Sequence, residues 1–385
     1  MLVGQVIDKF LGLTESWIYS QIKGLEKLNI KSQVFCHKIV NPDTYSFKPI
    51  HSYKDLSNFR INLYRLFGLF KAKDAALLYW DEIVKKEKPD IIHSHFGFTA
   101  AKGIDLAIKN NLPHIVTFYG ADVFRDPYGK SPAQKFYQSK LPLIFQRSNK
   151  ILSTSKFLKD KLVRLGAPEE KLQLWHLGLD LDLFNRLSKR KSNKFKIISC
   201  GRFKKWKGQK YLILALPEVL KKDKNIKVVF IGQGEELDNC KKLVDQLRIS
   251  QYVEFKERIV KYLDVIKEMA SSHLIVHSSF TAKNRVCDAL GMVLVEAGAC
   301  EVPTVASRSG GIPEAVLDKK TGFLVKPKNP KQIAEKIILL MENENLRKKM
   351  GQEAKKYIQK EFDLERQVKK LEKIYKEALS LGPLK

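Results

Sequence analysis

Residues 186–212 read "RLSKRKSNKFKIISCGRFKKWKGQKYL", and this stretch decides the fold. Residues 186–194 are polar and basic without apolar periodicity, which is typical of a linker. Residues 195–201 are a mostly apolar run that ends in glycine, and a helical pattern begins near Gly208. This succession of linker, strand, basic turn and helix predicts that a new α/β domain starts here.

The same alternation of short apolar runs and helical patterns recurs on both sides of the linker. Strands separated by helical segments of about 10 to 15 residues predict βαβ units and parallel sheets. A chain of 385 residues is long enough for two such domains of roughly 150 to 200 residues each. The predicted strands are residues 32–37, 90–96, 114–120 and 150–155 before the linker, and 195–201, 227–232, 252–258, 273–279 and 302–307 after it.

The boundaries of the domains follow from the linker. We predict an N-terminal domain over residues 1–185, a linker over 186–194 and a C-terminal domain over 195–361. Residues 362–385 have apolar residues at helical spacing, which predicts a packing helix and a tail. Because open α/β sheets bind ligands beyond the carboxyl ends of their strands, functional residues are expected just after strands, in a cleft between the domains.

The composition is that of a globular protein, with 44% hydrophobic and 29% charged residues. The five cysteines are far apart and form no C-x-x-C pair, so they indicate small buried hydrophobes in a reducing compartment. The sequence has no signal-peptide pattern, and no run of about 18 apolar residues that would span a membrane. We therefore expect a cytoplasmic protein.

The formal charge is +28, from 70 Lys and Arg against 42 Asp and Glu. Such an excess attracts anions, which include nucleic acids, anionic membranes and phosphorylated substrates. Nucleic acid is the least favoured of these partners because the usual DNA- and RNA-binding motifs are absent.

Residues 58–73, "NFRINLYRLFGLFKAK", combine an apolar helical stripe with basic residues around it. This helix could lie on an anionic membrane surface, or the stripe could pack on the N-terminal sheet. The stripe consists of Phe59, Leu63, Leu66, Phe67 and Phe70, and the basic residues are Arg60, Arg65, Lys71 and Lys73.

The turn in "CGRFKKWKGQKYL", residues 200–212, carries two candidate anion ligands. Arg202 offers a planar fork to phosphate oxygens and Lys207 a mobile point charge, so together they could clamp a diphosphate. The alternative is a solvated basic loop.

Glycines mark two further turns. In "SRSGGIPEAVLDKKTGFLV", residues 307–325, Gly310 and Gly311 precede a short helix whose N–H groups could point at an anion, although a plain tight turn explains them equally well. In "FIGQGEEL", residues 230–237, Leu237 stands where a third glycine would complete a dinucleotide fingerprint. A nicotinamide-dependent enzyme is therefore not predicted.

Two carboxylates lie in "DALGMVLVEAGAC", residues 288–300. If the run is helical, Asp288 and Glu296 are about two turns or 12 Å apart, too far to share one proton or one metal. They could contact separate hydroxyl groups of one long ligand. The alternative, no role, is stronger for Asp288 than for Glu296, because a solitary carboxylate in an apolar run is costly without a partner.

Two histidines alternate in "HSHFG", residues 93–97, and so lie on the same face of a strand end. His93 and His95 could hold a metal, but no further ligands are visible, so we favour His95 as a polar contact in the cleft. Tyr119 and Asp122, which end the next strand, are placed toward the same cleft.

In their order and spacing these motifs resemble the retaining glycosyltransferases of family 4. The N-terminal half is similar as well, in "LTESWIYSQIKGLEKLN" at residues 13–29 and "WHLGLDLDLF" at residues 175–184. The resemblance covers nearly the whole chain and is nearest to enzymes of bacterial surface-polysaccharide biosynthesis. It implies the GT-B fold, with two Rossmann-like parallel-sheet domains facing an interdomain cleft and a C-terminal helix that crosses back to the N-terminal domain.

The resemblance also implies roles for individual residues. A nucleotide-sugar donor would bind through its diphosphate to Arg202 and Lys207, through its ribose to Glu296, and through its sugar to Asp288. The implied catalytic residues are Arg202, Lys207, Asp288 and His95; the donor site adds Gly201, Gly234, Glu296, Gly310 and Gly311, and the acceptor or cleft residues are Gly12, Glu15, His95, Tyr119 and Asp122.

The implied acceptor is a saccharide or a lipid-linked saccharide, handled in the cytoplasm or at the inner face of the cell membrane. No metal and no cofactor are implied. Three residues depart from the family pattern. In "DALG", residues 288–291, Asp288 and Gly291 differ from the family's "EG-x-P", and Tyr119 stands where relatives commonly have histidine. They leave open an alternative, a catalytically weakened GT-B protein that binds polyanions or nucleotide sugars.

Overall fold

The computed structural model describes most of the 385-residue chain, namely residues 1–10, 16–41, 46–71, 74–187, 193–257 and 261–383. The chain divides into two units. The first comprises Met1–Gly178 together with Leu364–Lys385, and the second is Leu179–Asp363. The second unit thus begins before residues 186–194, the sequence-predicted linker.

The first unit is built on a parallel sheet. Among its described residues seven strands pair in the order β3-β2-β1-β4-β5-β6-β7. Four of them correspond to the predicted strands, whereas β1, β3 and β7 were not predicted. The strands are β1 Leu2–Phe10, β2 Lys31–Ile39, β3 Ile50–Ser52, β4 Ile91–His95, β5 His114–Phe118, β6 Lys150–Ser153 and β7 Leu172–Leu174.

Helices connect these strands and cover the sheet. The connections fit the βαβ pattern, because each strand pairs in parallel with its neighbours. The helices are α1 Ser16–Lys27, α2 Asn58–Lys71, α3 Ala75–Glu87, α4 Gly97–Lys109, α5 Ala121–Phe124, α6 Pro132–Arg147 and α7 Lys156–Arg164.

The second unit repeats this architecture. Within its described part six parallel strands pair in the order β10-β9-β8-β11-β12-β13, and five of them were predicted. The strands are β8 Phe195–Cys200, β9 Ile226–Ile231, β10 Val253–Lys256, β11 Leu274–His277, β12 Thr304–Ser307 and β13 Gly322–Val325. The helices are α8 Leu181–Asn185, α9 Gln209–Lys222, α10 Leu237–Gln246, α11 Tyr262–Ala270, α12 Met292–Ala299, α13 Ile312–Ala315, α14 Pro330–Glu342 and α15 Glu344–Glu361.

The last helix, α16 (Leu364–Leu381), returns to the first unit. It packs on α1 so closely that a Cβ atom at Gly24 would lie 2.7 Å from a methyl group of Val368. Its backbone also accepts a hydrogen bond, from the Trp175 indole N–H to the Gln367 carbonyl at 2.9 Å. The helix thus completes the core of the first unit.

None of the helices in the described ranges is both long enough and apolar enough to cross a bilayer.

Candidate active site

The turn after β8 places two of the predicted residues in different environments. The Arg202 side chain is exposed, directly after the end of the strand. The Lys207 ammonium lies on a 3₁₀ turn, Lys205–Lys207, and its side chain is only 13% exposed. This turn therefore places Arg202 in an exposed position and Lys207 in one that the protein partly encloses.

The Lys207 ammonium is paired with the carboxylate of Asp288. Lys207 Nζ lies 2.6 Å from Asp288 Oδ1 and 4.6 Å from the centre of the Trp206 ring. The Asp288 side chain is 10% exposed. The sequence assigned these two residues to different parts of a donor, whereas here they form one buried ion pair.

Two more donors hold the second oxygen of the same carboxylate. Ser279 Oγ donates to Asp288 Oδ2 at 2.6 Å, and His277 Nε2 lies 2.8 Å from the same oxygen. Burial alone would raise the pKa of the Asp288 carboxyl. The positive charge of Lys207 and the contact with His277 outweigh burial and hold the pKa well below its usual range, so Asp288 is ionised.

The glycine pair lies against the backbone of this carboxylate. Gly311 N donates to the Asp288 carbonyl at 2.9 Å. A Cβ atom at Gly310 would lie 2.3 Å from that carbonyl oxygen, and one at Gly311 only 1.7 Å from the Ala289 carbonyl oxygen. Tight packing of the two loops is sufficient to explain the absence of side chains at both positions, and the predicted contact of this turn with an anion stays a prediction.

The other predicted glycines also shape backbone turns. Gly201 directly follows β8 with a φ of 149°, and its Cβ position faces open space. A Cβ atom at Gly234 would lie 2.3 Å from the Phe203 carbonyl oxygen. Gly234 therefore brings the turn after β9 into contact with the turn after β8, and only Gly201 borders free volume.

Glu296 lies on the second turn of α12 and is partly buried. Tyr262, at the start of α11, donates its hydroxyl to Glu296 Oε1 at 2.8 Å. Burial raises the pKa of Glu296 to about 7, although the hydrogen bond from Tyr262 acts in the opposite direction. Asp288 and Glu296 thus have separate partners and opposite pKa shifts.

In the first unit the structure differs from the prediction for His95. Its side chain is fully buried, with Nδ1 2.7 Å from the Tyr119 hydroxyl and Nε2 2.9 Å from Gln5 Oε1. Burial lowers the pKa of His95 to about 3, so the ring is neutral. His95 is therefore a buried partner of Tyr119 and cannot touch a ligand directly, while Tyr119 is partly exposed.

His93 takes part in the same buried network. Its Nδ1 lies 2.7 Å from the Tyr375 hydroxyl and its Nε2 lies 2.8 Å from Thr117 Oγ1. The rings of His93 and His95 stack at 4.5 Å. All four ring nitrogens of the pair are thus engaged by protein groups, which accounts for the alternating histidines without a bound ligand.

Asp122 is also fully buried, in the first turn of α5, which follows β5. Its carboxylate accepts hydrogen bonds from the backbone N–H groups of Gly97 at 2.9 Å, Gly120 at 2.7 Å and Tyr119 at 3.2 Å. Burial raises its pKa to about 6, although these three N–H groups act in the opposite direction. Asp122 thus holds the backbone between β5 and α5 and does not reach the surface. The two remaining predicted residues, Gly12 and Glu15, lie outside the described residues.

Sequence reasoning missed five residues around these sites. His277 and Ser279 belong to "HSS" at the end of a predicted strand, where polar side chains are a signal for a site. No comparable signal marks the others, because they become partners only through contacts distant in sequence. The residues are His277, Ser279, Tyr262, Gln5 and Tyr375.

Comparison with protein families matches almost the entire chain. A family described as "Glycosyl transferases group 1" matches residues 183–357, and one described as "Glycosyltransferase Family 4" matches residues 14–183. The chain is a family 4, group 1 glycosyltransferase. The activity implied by the sequence motifs is thus that of the family.

Two curated relatives of this glycosyltransferase have similar lengths. An uncharacterised glycosyltransferase of Methanocaldococcus jannaschii is 29% identical over 342 residues, which cover 86% of this chain and 82% of the relative. The N-acetyl-alpha-D-glucosaminyl L-malate synthase of Bacillus anthracis is 26% identical over 310 residues, 77% of each chain. Both alignments span parts of both units.

A solved structure shares the fold. HepE of Anabaena, crystallised in complex with UDP-glucose, has a TM-score of 0.76 and 18% identity, covering 98% of this chain and 99% of that one. The two parallel-sheet Rossmann-like units of the glycosyltransferase therefore form the GT-B fold, as predicted.

The buried ion pair makes Lys207 a stability determinant. Lys207→Met would leave the ionised Asp288 without a charged partner, and we expect the free energy of unfolding to fall by about 3 kcal/mol. Adding Asp288→Asn should restore much of the loss, because the unpaired charge is then gone. Urea denaturation measures both effects, with Lys205→Met, an exposed lysine of the same turn, as control. Equal stability of the Lys207 and Lys205 variants would show that the ion pair does not stabilise the fold.

The raised pKa of Glu296 makes stability depend on pH. The folded protein favours the neutral carboxyl of Glu296. This contribution to the free energy of unfolding is fully present below pH 4.5, the ordinary pKa, and is lost as pH rises through about 7. Glu296→Gln keeps an acceptor for Tyr262 but cannot ionise. We expect it to match the wild type near pH 4.5 and to exceed it by up to about 3 kcal/mol at pH 8.

Urea denaturation across this pH range tests the expectation. Glu342→Gln, which removes an exposed carboxylate of the same unit, should differ from the wild type by no more than about 0.5 kcal/mol at any pH. If the curves of Glu296→Gln and the wild type run parallel between pH 5 and pH 8, Glu296 does not titrate as described.

Proposed function

We propose that this glycosyltransferase moves a hexosyl group from a nucleotide-sugar donor to a saccharide or lipid-linked acceptor. The supporting observation is the arrangement after β8: exposed Arg202 and enclosed Lys207 offer two cations for a diphosphate. Glu296 adds a carboxylate that can accept hydrogen bonds from a ribose. HepE, which has the same fold, was crystallised with UDP-glucose, and this supports a donor of that class.

The proposed reaction proceeds with retention at the anomeric carbon. The acceptor hydroxyl attacks on the face from which the diphosphate departs, and a phosphate oxygen of the leaving group takes the acceptor proton. The protein orients the two substrates and stabilises the charge that develops on the diphosphate. Arg202 and Lys207 supply that stabilisation in the proposal, which requires neither a metal nor another cofactor.

The biological role that we propose is biosynthesis of cell-surface polysaccharide or glycolipid. The resemblance to enzymes of that class supports it, and an amylovoran biosynthesis glycosyltransferase of Erwinia amylovora is 25% identical over 297 residues. The alternative, a catalytically weakened GT-B protein, is based on Asp288, Gly291 and Tyr119, the residues at which the chain departs from the family pattern. The presence of Arg202, Lys207 and Glu296 favours an active enzyme.

The donor assignment predicts a large effect at Arg202. Arg202→Ala should reduce turnover at least a hundredfold, since a positioned cation that stabilises the leaving group contributes about that much. The side chain is exposed, so stability should change by no more than about 0.5 kcal/mol. The measurement is release of nucleoside diphosphate from UDP-, GDP- and ADP-sugars, with saccharide and lipid-linked acceptors.

Lys222→Ala provides the matched control, because it removes an exposed cation at the far end of α9. It should leave turnover unchanged. Unchanged turnover of Arg202→Ala would refute the donor assignment. Binding of nucleotide sugars without any release by the wild type would favour the weakened protein.

We also propose that the enzyme meets lipid-linked acceptors at an anionic membrane, through the exposed stripe of α2. Phe59, Leu63 and Leu66 lie on one face of the helix and are 77%, 39% and 50% exposed. Ile61 and Tyr64, on the opposite face, pack against the core. Burial of the stripe against the sheet, the alternative from sequence, is therefore wrong for these three residues; the side chains of Phe67 and Phe70 lie outside the described part.

Charge complementarity selects an anionic membrane as the partner of the stripe. Residues 58–71 contain no acidic residue, and Arg65 is exposed. Arg60 reaches toward α3, with its guanidinium 3.4 Å from the Tyr64 hydroxyl and 4.0 Å from Glu82 Oε1. A helix with an apolar face and basic flanks lies in the plane of a membrane surface, where each basic residue contributes about 1 kcal/mol with anionic lipid. The net charge of +28 acts in the same direction.

Vesicle sedimentation tests the membrane proposal. The wild type should bind vesicles of phosphatidylcholine with phosphatidylglycerol, and bind phosphatidylcholine alone much less. Replacing Phe59, Leu63 and Leu66 by serine should lower binding at least tenfold. The control replaces three exposed leucines of the second unit, Leu214, Leu263 and Leu339, by serine. Equal loss in both triple variants, or no dependence on anionic lipid, would overturn the proposal.

A further inference from the structure

Four side chains converge behind the proposed diphosphate site. Lys207 comes from the turn before α9, His277 is the last residue of β11, Ser279 follows it, and Asp288 lies in the loop before α12. His277 and Ser279 are 3% and 1% exposed, so they contact other protein groups and not a ligand. The side chains of Lys207 and Asp288 are 13% and 10% exposed, so His277 and Ser279 form the buried support of this ion pair.

The two oxygens of the Asp288 carboxylate have different partners. Oδ2 is 2.8 Å from His277 Nε2 and accepts the Ser279 hydroxyl at 2.6 Å, whereas Oδ1 is 2.6 Å from Lys207 Nζ. Two contacts on Oδ2 restrict rotation of the carboxylate, and this fixes the direction of Oδ1. Because Oδ1 in turn holds the ammonium, the position of Lys207 depends on groups that it does not touch.

A count of hydrogen-bonding capacity separates the roles of Asp288 and Lys207. A carboxylate accepts about four hydrogen bonds, and three positions are occupied at Asp288. An ammonium has about three N–H donors, of which Asp288 uses one, so donors remain for phosphate oxygens. Asp288 is therefore better suited to hold Lys207 than to bind a sugar, whereas Lys207 can bind a diphosphate while remaining paired.

We propose that His277 is a positioning residue of the donor site: it fixes the Asp288 carboxylate, which holds the Lys207 ammonium against the diphosphate. This inference rests on the proposed function. It assigns to His277 an effect on nucleotide affinity that operates only through Asp288, which a purely structural role at the end of β11 would not have.

A double-mutant cycle tests this coupling, with UDP, GDP and ADP as probes in calorimetric titrations of the full chain. His277→Leu should weaken binding of the preferred nucleoside diphosphate about tenfold. In the Asp288→Asn background the same change should weaken binding less than about twofold, because the carboxylate that His277 orients is already lost. His277→Gln, which keeps a side-chain N–H donor, should restore most of the affinity.

Two further variants keep the test decisive. Ser279→Ala removes the other hydrogen bond to Oδ2 with little change in size, and its effect should also vanish in the Asp288→Asn background. This variant carries the cycle if His277→Leu fails to fold. The control is His273→Leu, which removes the histidine directly before β11. It should leave nucleotide affinity unchanged.

The outcomes separate the two proposals. If the wild type binds none of the three nucleoside diphosphates and releases none from their sugars, the proposed function fails and the role of His277 fails with it. If the wild type binds but the effects of His277→Leu and Asp288→Asn simply add, or His277→Leu does not change affinity, the positioning role alone is overturned.

Discussion

An ionised carboxylate buried in the second unit sets the constraint on which the site depends. Asp288 stays charged in an enclosed place only because Lys207, His277 and Ser279 surround it. The four residues come from three separate segments, so the charge joins the turn after β8, the end of β11 and the loop before α12. The glycine pair at residues 310–311 then packs on the backbone of the same loop. The basic turn after β8 thereby has a geometry that is fixed by its contacts with the end of β11 and the loop before α12.

The first unit also buries polar side chains, and it pairs His93 and His95 with neutral groups. His93 and His95 are neutral because burial lowers the pKa of both rings, and Gln5, Thr117, Tyr119 and Tyr375 satisfy their ring nitrogens. Such a network is stable in a core because every buried polar atom named here has a partner. The two units thus share a topology but differ in chemistry. The second unit holds the partly enclosed ammonium of Lys207, and the first holds the Tyr119 hydroxyl against the neutral ring of His95. A shared fold therefore does not make the two halves interchangeable in function.

How much could be predicted from sequence follows from the range of the interactions. Local signals predicted the GT-B fold and the glycosyltransferase family, whose models match residues 14–357. These signals are the alternation of strands and helices, the glycine turns and the charged residues Arg202, Lys207, Asp288 and Glu296. The pairing of Lys207 with Asp288 was not predictable, because 81 residues separate the partners. The burial of His95 was not predictable for the same reason, because its partner Gln5 lies 90 residues away in sequence. Gln5 belongs to β1, an interior strand that was itself not predicted, since this buried polar residue interrupts its apolar run. Burial, and with it every pKa shift, becomes visible only after the sheets are assembled.

The return of α16 to the first unit has a consequence for synthesis of the protein. The second unit is continuous in sequence, whereas the first unit lacks its complete last helix until the ribosome has passed Leu381. Until then His93 has no Tyr375 hydroxyl beside it and Gly24 has no Val368 against it. The half of the molecule that is translated first is thus the last to be completed, and the nascent chain must keep an open core in the first unit soluble while the second unit folds.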